Sequence, residues 1–208
     1  MTWMIVLVSI AFGDPIVTDR PSVATGASTV GEGTFQVETG VQVDAGFVNV
    51  VSVPTLFRYG LADDHELRLT TDVIGFADAI YAPNVGVEWK INLLDEQQIA
   101  AGLLLGTTLS TASGLVVSQA AGLLDVDLGA AAAWANVGLL SSIVAGQVGV
   151  IGTYSLGASV GVSETYSVHA EHSAAVSGVG LGGVLQCGVA WARDDLEFDA
   201  YIQPAFPS

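Results

Sequence analysis

The sequence predicts an all-β protein, an antiparallel up-and-down transmembrane β-barrel of twelve strands, with ten strands as the alternative. Apolar and polar residues alternate with a period of two in most segments, as in strands with one apolar and one polar face. Short breaks rich in Gly, Asp, Ser or Asn separate these segments, and few residues are charged. No stretch has the apolar stripe of an amphipathic helix opposite a charged face.

The chain begins with an unbroken apolar run from Trp3 to Phe12. Such a run is too short for a spanning helix, which needs about 20 residues, but it suits the core of an export signal. Ala11 and Gly13 supply small residues before a cleavage site near Asp14, although no Lys or Arg precedes the run. We therefore expect residues 1–13 to form an export signal.

Residues 14–32 show no clean period and include Pro15, Pro21 and Gly26. This composition is typical of an irregular segment. The barrel domain is then expected to span residues 33–208.

The first segment of that domain, "GTFQVETGVQVDAG", shows the alternation clearly. Its odd positions are Phe35, Val37, Thr39, Val41 and Val43, and its even positions are Gln36, Glu38, Gly40, Gln42 and Asp44. The same pattern recurs in "NVGVEWKIN", between residues 147 and 162, and in "LEFDAYIQPAF". We count about eleven such segments, and because bacterial single-chain barrels have an even number of strands, we expect twelve or ten.

Membrane helices are a weaker alternative. Residues 97–124 and 128–163 contain no charge and exceed the length of a spanning helix. However, seven glycines lie within 128–163, and each costs a helix about 1 kcal/mol relative to alanine. No Lys or Arg lies between Lys90 and Arg193, so the basic loops that orient inner-membrane helices are missing. Strands are therefore favoured.

A period of two does not itself say which face is inside, and an exported soluble β-barrel remains an alternative. In "QIAAGLLLGTTL", the face opposite the Leu and Ile side chains carries mostly small, uncharged residues. A face in bulk water would normally carry more Lys and Glu, whereas small residues suit a crowded lumen. Aromatic residues also fall toward the strand ends, as in an interfacial girdle. The apolar face is therefore predicted to contact lipid.

Composition excludes one class of partner. The 208 residues are 51% hydrophobic with a mean hydropathy of +0.59, and only 12% are charged, against roughly 25% in soluble domains. Five basic and 21 acidic residues give a net charge of −16, so no binding of nucleic acid is expected.

The single cysteine, Cys187, is read as a small buried or lipid-facing residue.

If the polar face lines the lumen, nearly all charges on strands point inward. The lumen-facing candidates are Arg58, Arg68, Lys90, Glu38, Glu66, Asp72, Glu88, Glu171 and Asp199. Unpaired charges are costly in a narrow interior, so Arg–carboxylate pairs between neighbouring strands are expected. Arg58 and Glu66 flank one predicted hairpin, within reach of each other. Such pairs can brace the wall or form a constriction that selects solutes.

No motif for metal binding or catalysis stands out. In "HAEH", His169 and Glu171 share a strand face while His172 points the other way, which disfavours joint ligation of a metal. Histidines and serines are present, but no nucleophile, base and orienting acid form a recognisable set. We therefore expect no metal site, no cofactor and no enzymatic activity.

Eight segments carry a resemblance to a known family. They are "VTDRPS", "GTFQVETGV", "PTLFRYGLADDHELRLTTD", "VGVEWKI", "LLDVDLG", "WANVGL", "YSVHAEHS" and "LEFDAYIQPAF". These segments resemble the transporter-like outer-membrane proteins linked to the meta-cleavage pathway of phenol degradation. The resemblance spans about residues 17–206, and the "RYGL…ELRL" hairpin is its most distinctive part. The chain departs from the family in its weak signal and in ending "AFPS", with Phe206 two residues before the end.

The resemblance implies an outer-membrane channel or transporter for small solutes, aromatic or otherwise hydrophobic ones included. Its expected partners are outer-membrane lipid, the solute and the barrel-assembly machinery during insertion, in a diderm bacterium. The acidic excess favours cations or neutral solutes over anions. A non-conducting structural barrel and an exported soluble barrel that binds an apolar ligand are the alternatives.

Overall fold

The structure is a computed structural model that describes residues 2–12, 24–45, 49–76, 79–144, 147–177, 180–193 and 196–204. In these ranges the regular elements are twelve β-strands. They are β1 (Thr2–Phe12), β2 (Phe35–Ala45), β3 (Asn49–Ala62), β4 (His65–Phe76), β5 (Ala79–Glu96), β6 (Ile99–Ser110), β7 (Val116–Asp127), β8 (Ala131–Val144), β9 (Gln147–Gly161), β10 (Tyr166–Ser177), β11 (Gly180–Arg193) and β12 (Leu196–Pro204).

The strands form one closed barrel in chain order. Each strand pairs antiparallel with the next, and β12 pairs with β1 to close the sheet. Closure removes the unpaired strand edges that lipid could not satisfy. The structure confirms the predicted all-β, up-and-down fold, and its strand number is twelve rather than ten.

Exposure alternates along the strands as the residue pattern predicts. In β5, the apolar Val87 and Trp89 are 54% and 44% exposed, whereas the intervening Glu88 and following Lys90 are 8% and 0% exposed. Strand β5 thus turns its apolar face outward and its polar face toward the lumen, and the described parts of β3, β4 and β6 alternate in the same way. A soluble barrel would show the opposite arrangement, with Trp89 inside and Lys90 in water.

Strand β1 covers most of the residues that the sequence predicts to form an export signal, 1–13. Thr2–Phe12 hydrogen-bond to both β2 and β12, with Leu7 paired to Gly40 on one side and Asp199 on the other. The run is apolar at both parities, so it lacks the alternation by which a barrel strand is recognised. Its removal after export stays a prediction, which the intact mass of the membrane-extracted protein tests.

The barrel has an acidic mouth, the end at which the turns 63–64, 97–98, 128–130 and 162–165 lie. Exposed carboxylates cluster on these turns, at the adjacent ends of β5 and β7, and on the chain that enters β2. They are Glu32, Asp63, Asp64, Asp95, Glu96, Asp127 and Glu164. Within the described ranges, the turn at 111–115 at the opposite mouth contains no charged residue.

Residues 24–34 form no strand, and residues 24–31 lie inside the barrel. We call Ala24–Gly31 the lumen strap. Its Ala27 and Val30 are completely or almost completely buried. After the strap, the chain returns to the wall, where Gly33 N–H donates to Gly60 O (2.9 Å) and Gly60 N–H donates to Thr34 O (3.0 Å).

The expected irregular segment 14–32 is therefore irregular from residue 24 onward, and residues 13–23 lie outside the described ranges. Of the residues that the structure describes, none belongs to a helix long and apolar enough to cross a membrane.

Candidate functional site

The lumen beside β2–β5 is filled by a buried cluster of charges. Arg58, fully buried on β3, donates from Nε and Nη2 to the two carboxylate oxygens of Glu66 on β4, both at 2.8 Å. Its Nη1 donates to Glu38 Oε1 at 2.9 Å, and Gln36 Nε2 donates to the same oxygen at 2.9 Å. A guanidinium bound through both edges is held in one orientation.

The same cluster extends to β5. Arg68 Nε lies 3.3 Å from Glu88 Oε2 and 3.5 Å from Glu66 Oε1. Lys90 Nζ lies 3.8 Å from Glu66 Oε1. Glu88 Oε1 accepts a 2.6 Å hydrogen bond from Gln119 Nε2 on β7. The cluster therefore extends along the inner face of the wall as far as β7.

The cluster balances its charges. Its three cations, Arg58, Arg68 and Lys90, face three carboxylates, Glu38, Glu66 and Glu88. Since a buried ion is tolerated only when it is paired and hydrogen-bonded, this balance accounts for six ionisable side chains in one small region. Three of the five basic residues of the whole chain are used here.

The lumen strap is held chiefly through its main chain. Every third N–H donates to a carboxylate of the wall: Ala24 to Glu171 Oε1 (3.2 Å), Ala27 to Asp125 Oδ2 (2.8 Å) and Val30 to Glu66 Oε2 (2.8 Å). Carboxylates that accept from main-chain N–H groups form strong hydrogen bonds. These wall residues lie on β10, β7 and β4, so the strap runs across the lumen.

Two strap carbonyls receive donors from the wall as well. Asn136 Nδ2 donates to Thr25 O (3.0 Å), and Lys90 Nζ donates to Gly26 O (3.2 Å). One strap side chain takes part, since Thr29 Oγ1 donates to Asp63 O at 2.6 Å. The wall thus replaces the water that these main-chain groups would otherwise bind.

Glycines let the strap approach the wall closely. A Cβ at Gly60 would overlap the carbonyl oxygen of Gly31, and a Cβ at Gly102 would lie 3.1 Å from Ala27 O and 2.8 Å from Ile91 O. Any larger residue at either position would push the strap or the adjacent strand away.

Ala27 forms the centre of a small apolar cluster. It packs with Ala100 and Leu104 of β6 and Leu123 of β7, all buried. Two cavities lie on either side of this cluster. The mouth cavity, about 730 Å³, is bounded by Ser28, Ala100 and the acidic turns, and the inner cavity, about 340 Å³, is bounded by Thr25, Leu104 and Leu123. Among the described residues, the two cavities share no lining residue.

The inner cavity is mostly apolar. Leu140, Val184 and Tyr154 line it together with small residues such as Ala121 and Gly138, while hydroxyl and amide groups are interspersed. Its volume falls at the lower end of the range seen for small-molecule sites. The mouth cavity, by contrast, includes Asp95, Glu96, Asp125, Asp127 and Glu164 in its lining.

Glu171 has a role apart from the charge cluster. It is 1% exposed, and its Oε2 accepts from Trp134 Nε1 at 2.7 Å while its Oε1 accepts from Ser173 Oγ at 2.6 Å. The Trp134 ring lies against Gly157 of the neighbouring strand, where no Cβ would fit. Glu171 therefore meets the strap in a fixed position.

The segment "HAEH" is split between the two faces of β10. His169 and Glu171 are buried, and His172 is exposed and lies beside Tyr154, with ring centroids 5.7 Å apart. In the parts of the chain with described side chains, no group of three or more His, Cys, Asp or Glu is arranged to hold a metal ion.

The other candidates lie apart from the charge cluster. Asp72 of β4 is half-buried and lies beyond Thr70 toward the opposite mouth, where burial leaves its Oδ1 without a hydrogen-bond partner. Asp199 lies in β12, but its side chain is outside the described set. Thus the structure brings together six of the nine candidates, and places Glu171 at the strap.

Sequence reasoning missed several site residues. Asp125 and Asn136, which hold the strap, lie in "LLDVDLG" and "WANVGL", and both are on the inward parity of their strands. Their inward parity is the signal by which the sequence could have revealed them. The strap carries no such signal, because the wall binds it mainly through main-chain atoms, which every residue has.

The fold and the lumen define a membrane β-barrel with an apolar exterior and a polar, partly filled interior. The chain is similar to the structure of OmpTdeltaL8, a loop L8 deletion mutant of OmpT, an outer membrane protein of Vibrio cholerae. The two chains are 11% identical, with a TM-score of 0.43, and the match covers 98% of this chain and 97% of that chain. No protein-family model matches the sequence, and no curated protein matches it.

One expectation is corrected at this point. The sequence predicts a protein that is not an enzyme, but the fold gives that prediction no support. A barrel fixes the architecture and excludes no chemistry, because function resides in the site and not in the fold. The prediction is therefore withdrawn.

Proposed function

We propose that this chain is an outer-membrane channel or transporter through which small neutral or cationic solutes pass, aromatic or otherwise hydrophobic solutes included. The observation that supports this proposal is the pair of cavities inside the barrel, one open to the acidic mouth and one deeper in the lumen. The family resemblance of the sequence supports the same function. Outer-membrane lipid and the barrel-assembly machinery are the partners that such a protein requires.

The acidic mouth favours the proposed charge preference. Seven exposed carboxylates surround it among the described residues, while the cations of the lumen are buried and paired. Rings of Asp and Glu raise the local concentration of cations and repel anions. The mostly apolar inner cavity would accept a neutral, poorly hydrated solute more readily than an ion.

A non-conducting structural barrel is the second candidate, and one observation favours it. The charge cluster and the lumen strap occupy much of the lumen, as they would in a barrel whose interior is filled by its own residues. The two candidates make opposite predictions about solute flux.

The test uses the purified full-length protein in liposomes and in planar lipid bilayers. Heat-modifiable migration on a gel first establishes that the barrel is folded. We expect swelling of liposomes in neutral solutes of low mass and discrete conductance steps with a reversal potential that indicates cation preference. Folded protein that shows no flux of any solute contradicts the channel and supports the structural barrel.

A further inference from the structure

We infer that the lumen strap, residues 24–31, is a gate. It closes the passage in this structure, and the passage opens when the strap leaves its seat, which is the part of the wall around Glu66, Asp125 and Glu171 that binds its N–H groups. This inference rests on the proposed function, since a gate has meaning only in a barrel that conducts. Three features support it: the hydrogen bonds that hold the strap, its position between the two cavities, and the stability of the wall once the strap has moved away.

The strap is held by contacts that can be exchanged for water. Its N–H and C=O groups bind side chains of the wall, and no strap residue joins the β-sheet. Its side chains are small throughout, and its buried apolar side chains are those of Ala24, Ala27 and Val30. Removal of the strap therefore breaks no strand pairing, and the apolar surface that it exposes comes from two alanines and one valine.

The strap lies where a passage must be closed. Ser28 borders the mouth cavity and Thr25 borders the inner cavity, so the residues between them form the partition. Ala27 fills this position by packing on Ala100, Leu104 and Leu123. Withdrawal of one short segment would join the two cavities into one path.

The vacated seat would remain stable in water. Glu66 keeps both of its hydrogen bonds to Arg58, and Glu171 keeps those from Trp134 and Ser173. Asp125, which already borders the mouth cavity, would exchange the N–H of Ala27 for water. Lys90 and Asn136 would exchange the strap carbonyls for water, and Lys90 keeps Glu66 Oε1 at 3.8 Å. The ion pairs of the wall therefore do not depend on the strap, and the open lumen would present carboxylates to an entering cation.

The first experiment locks the strap. In a Cys187→Ser background, the pair Ala27→Cys and Ala100→Cys joins the strap to β6 by a disulfide, because both residues belong to one buried cluster. We expect the oxidised protein to lose at least nine-tenths of its conductance in planar bilayers and to regain it on reduction.

A matched control pair lies in the wall. Thr107 and Ser118 are directly paired on β6 and β7, and their hydroxyl oxygens are 3.1 Å apart. The variant Thr107→Cys with Ser118→Cys should conduct equally in the oxidised and reduced states. A mass measurement establishes disulfide formation in both variants.

The second experiment expels the strap and does not depend on a disulfide. Ala27→Asp places a carboxylate among Ala100, Leu104 and Leu123 and beside Asp125, so the strap is expected to leave its seat. Conductance should rise severalfold above that of the unmodified protein. Ala112→Asp, in the exposed turn between β6 and β7, is the control and should leave conductance unchanged.

The outcomes separate the gate from the proposed function. Loss of conductance on locking, or gain with Ala27→Asp, supports the gate. Equal conductance of the unmodified, locked and Ala27→Asp proteins overturns the gate and retains the channel. No conductance in any folded variant, Ala27→Asp included, overturns both the channel and the gate.

Discussion

The guanidinium of Arg58 and the carboxylate of Glu66 form two parallel hydrogen bonds of 2.8 Å across the β3–β4 hairpin, with both side chains fully buried. When one member of such a pair is removed, the other is left as an uncompensated buried charge. Arg58→Met should therefore lower the free energy of unfolding by about 3–5 kcal/mol. Urea-dependent unfolding in detergent micelles, followed on a gel by heat-modifiable migration, measures the change.

A rim carboxylate supplies the control for this pair. Glu96 is exposed at the acidic mouth, and Glu96→Gln should change the unfolding free energy by no more than about 0.5 kcal/mol. A loss with Arg58→Met as small as that of the control would show that the pair adds little to the stability of the wall.

Gly60 is required for the approach of the strap to β3. A methyl group there would overlap Gly31 O, and both Gly60 main-chain groups are already engaged with residues 33 and 34. Gly60→Ala should cost about 1–3 kcal/mol by overpacking. Gly182→Ala is the matched control, because an added methyl group at Gly182 has no atom within 4 Å. Equal unfolding midpoints in urea for the two variants would contradict the close approach.

The direction of the strand faces can be tested by fluorescence. Trp89 is 44% exposed on the outer face, and Trp134 is 3% exposed inside, where it binds Glu171. We expect brominated lipids to quench strongly a variant that keeps only Trp89, since bromine quenches on contact. A variant that keeps only Trp134 should be quenched weakly. Stronger quenching of Trp134 than of Trp89 would reverse the assignment of lipid and lumen.

The alternating strands were predictable because a barrel wall imposes one rule on every residue. Lipid contacts one parity and the lumen the other, so Val87, Glu88, Trp89 and Lys90 reveal their positions by type alone. The reach between Arg58 and Glu66 followed from the same rule, because residues of equal parity that flank one hairpin point the same way.

The remaining parts escaped prediction for two physical reasons. In β1 both parities are apolar, so the run resembles an export signal more than a strand. In the lumen strap, small residues bind through main-chain groups, which every residue possesses, and no side-chain pattern marks them. Asp125 lay on the inward parity, but its partner, the N–H of Ala27, could be found only in three dimensions.

The acidic mouth should govern charge preference if solutes enter there. The variant Asp95→Asn, Glu96→Gln and Asp127→Asn removes three exposed carboxylates from the lining of the mouth cavity and leaves the buried charge cluster intact. Because exposed charges act through a field that falls off over a Debye length, about 10 Å at 0.1 M salt, the effect should be largest at low ionic strength.

We expect the reversal potential in a salt gradient to shift toward zero in this variant, with the conductance in concentrated salt almost unchanged. The control is Asp64→Asn, a single exposed carboxylate of the β3–β4 turn that does not line the cavity among the described residues. It should shift the reversal potential far less. An identical reversal potential for the triple variant and the unmodified protein would contradict the role of the acidic mouth. The selective region would then lie deeper, at the carboxylates of Glu66, Asp125 and Glu171 that bind the strap.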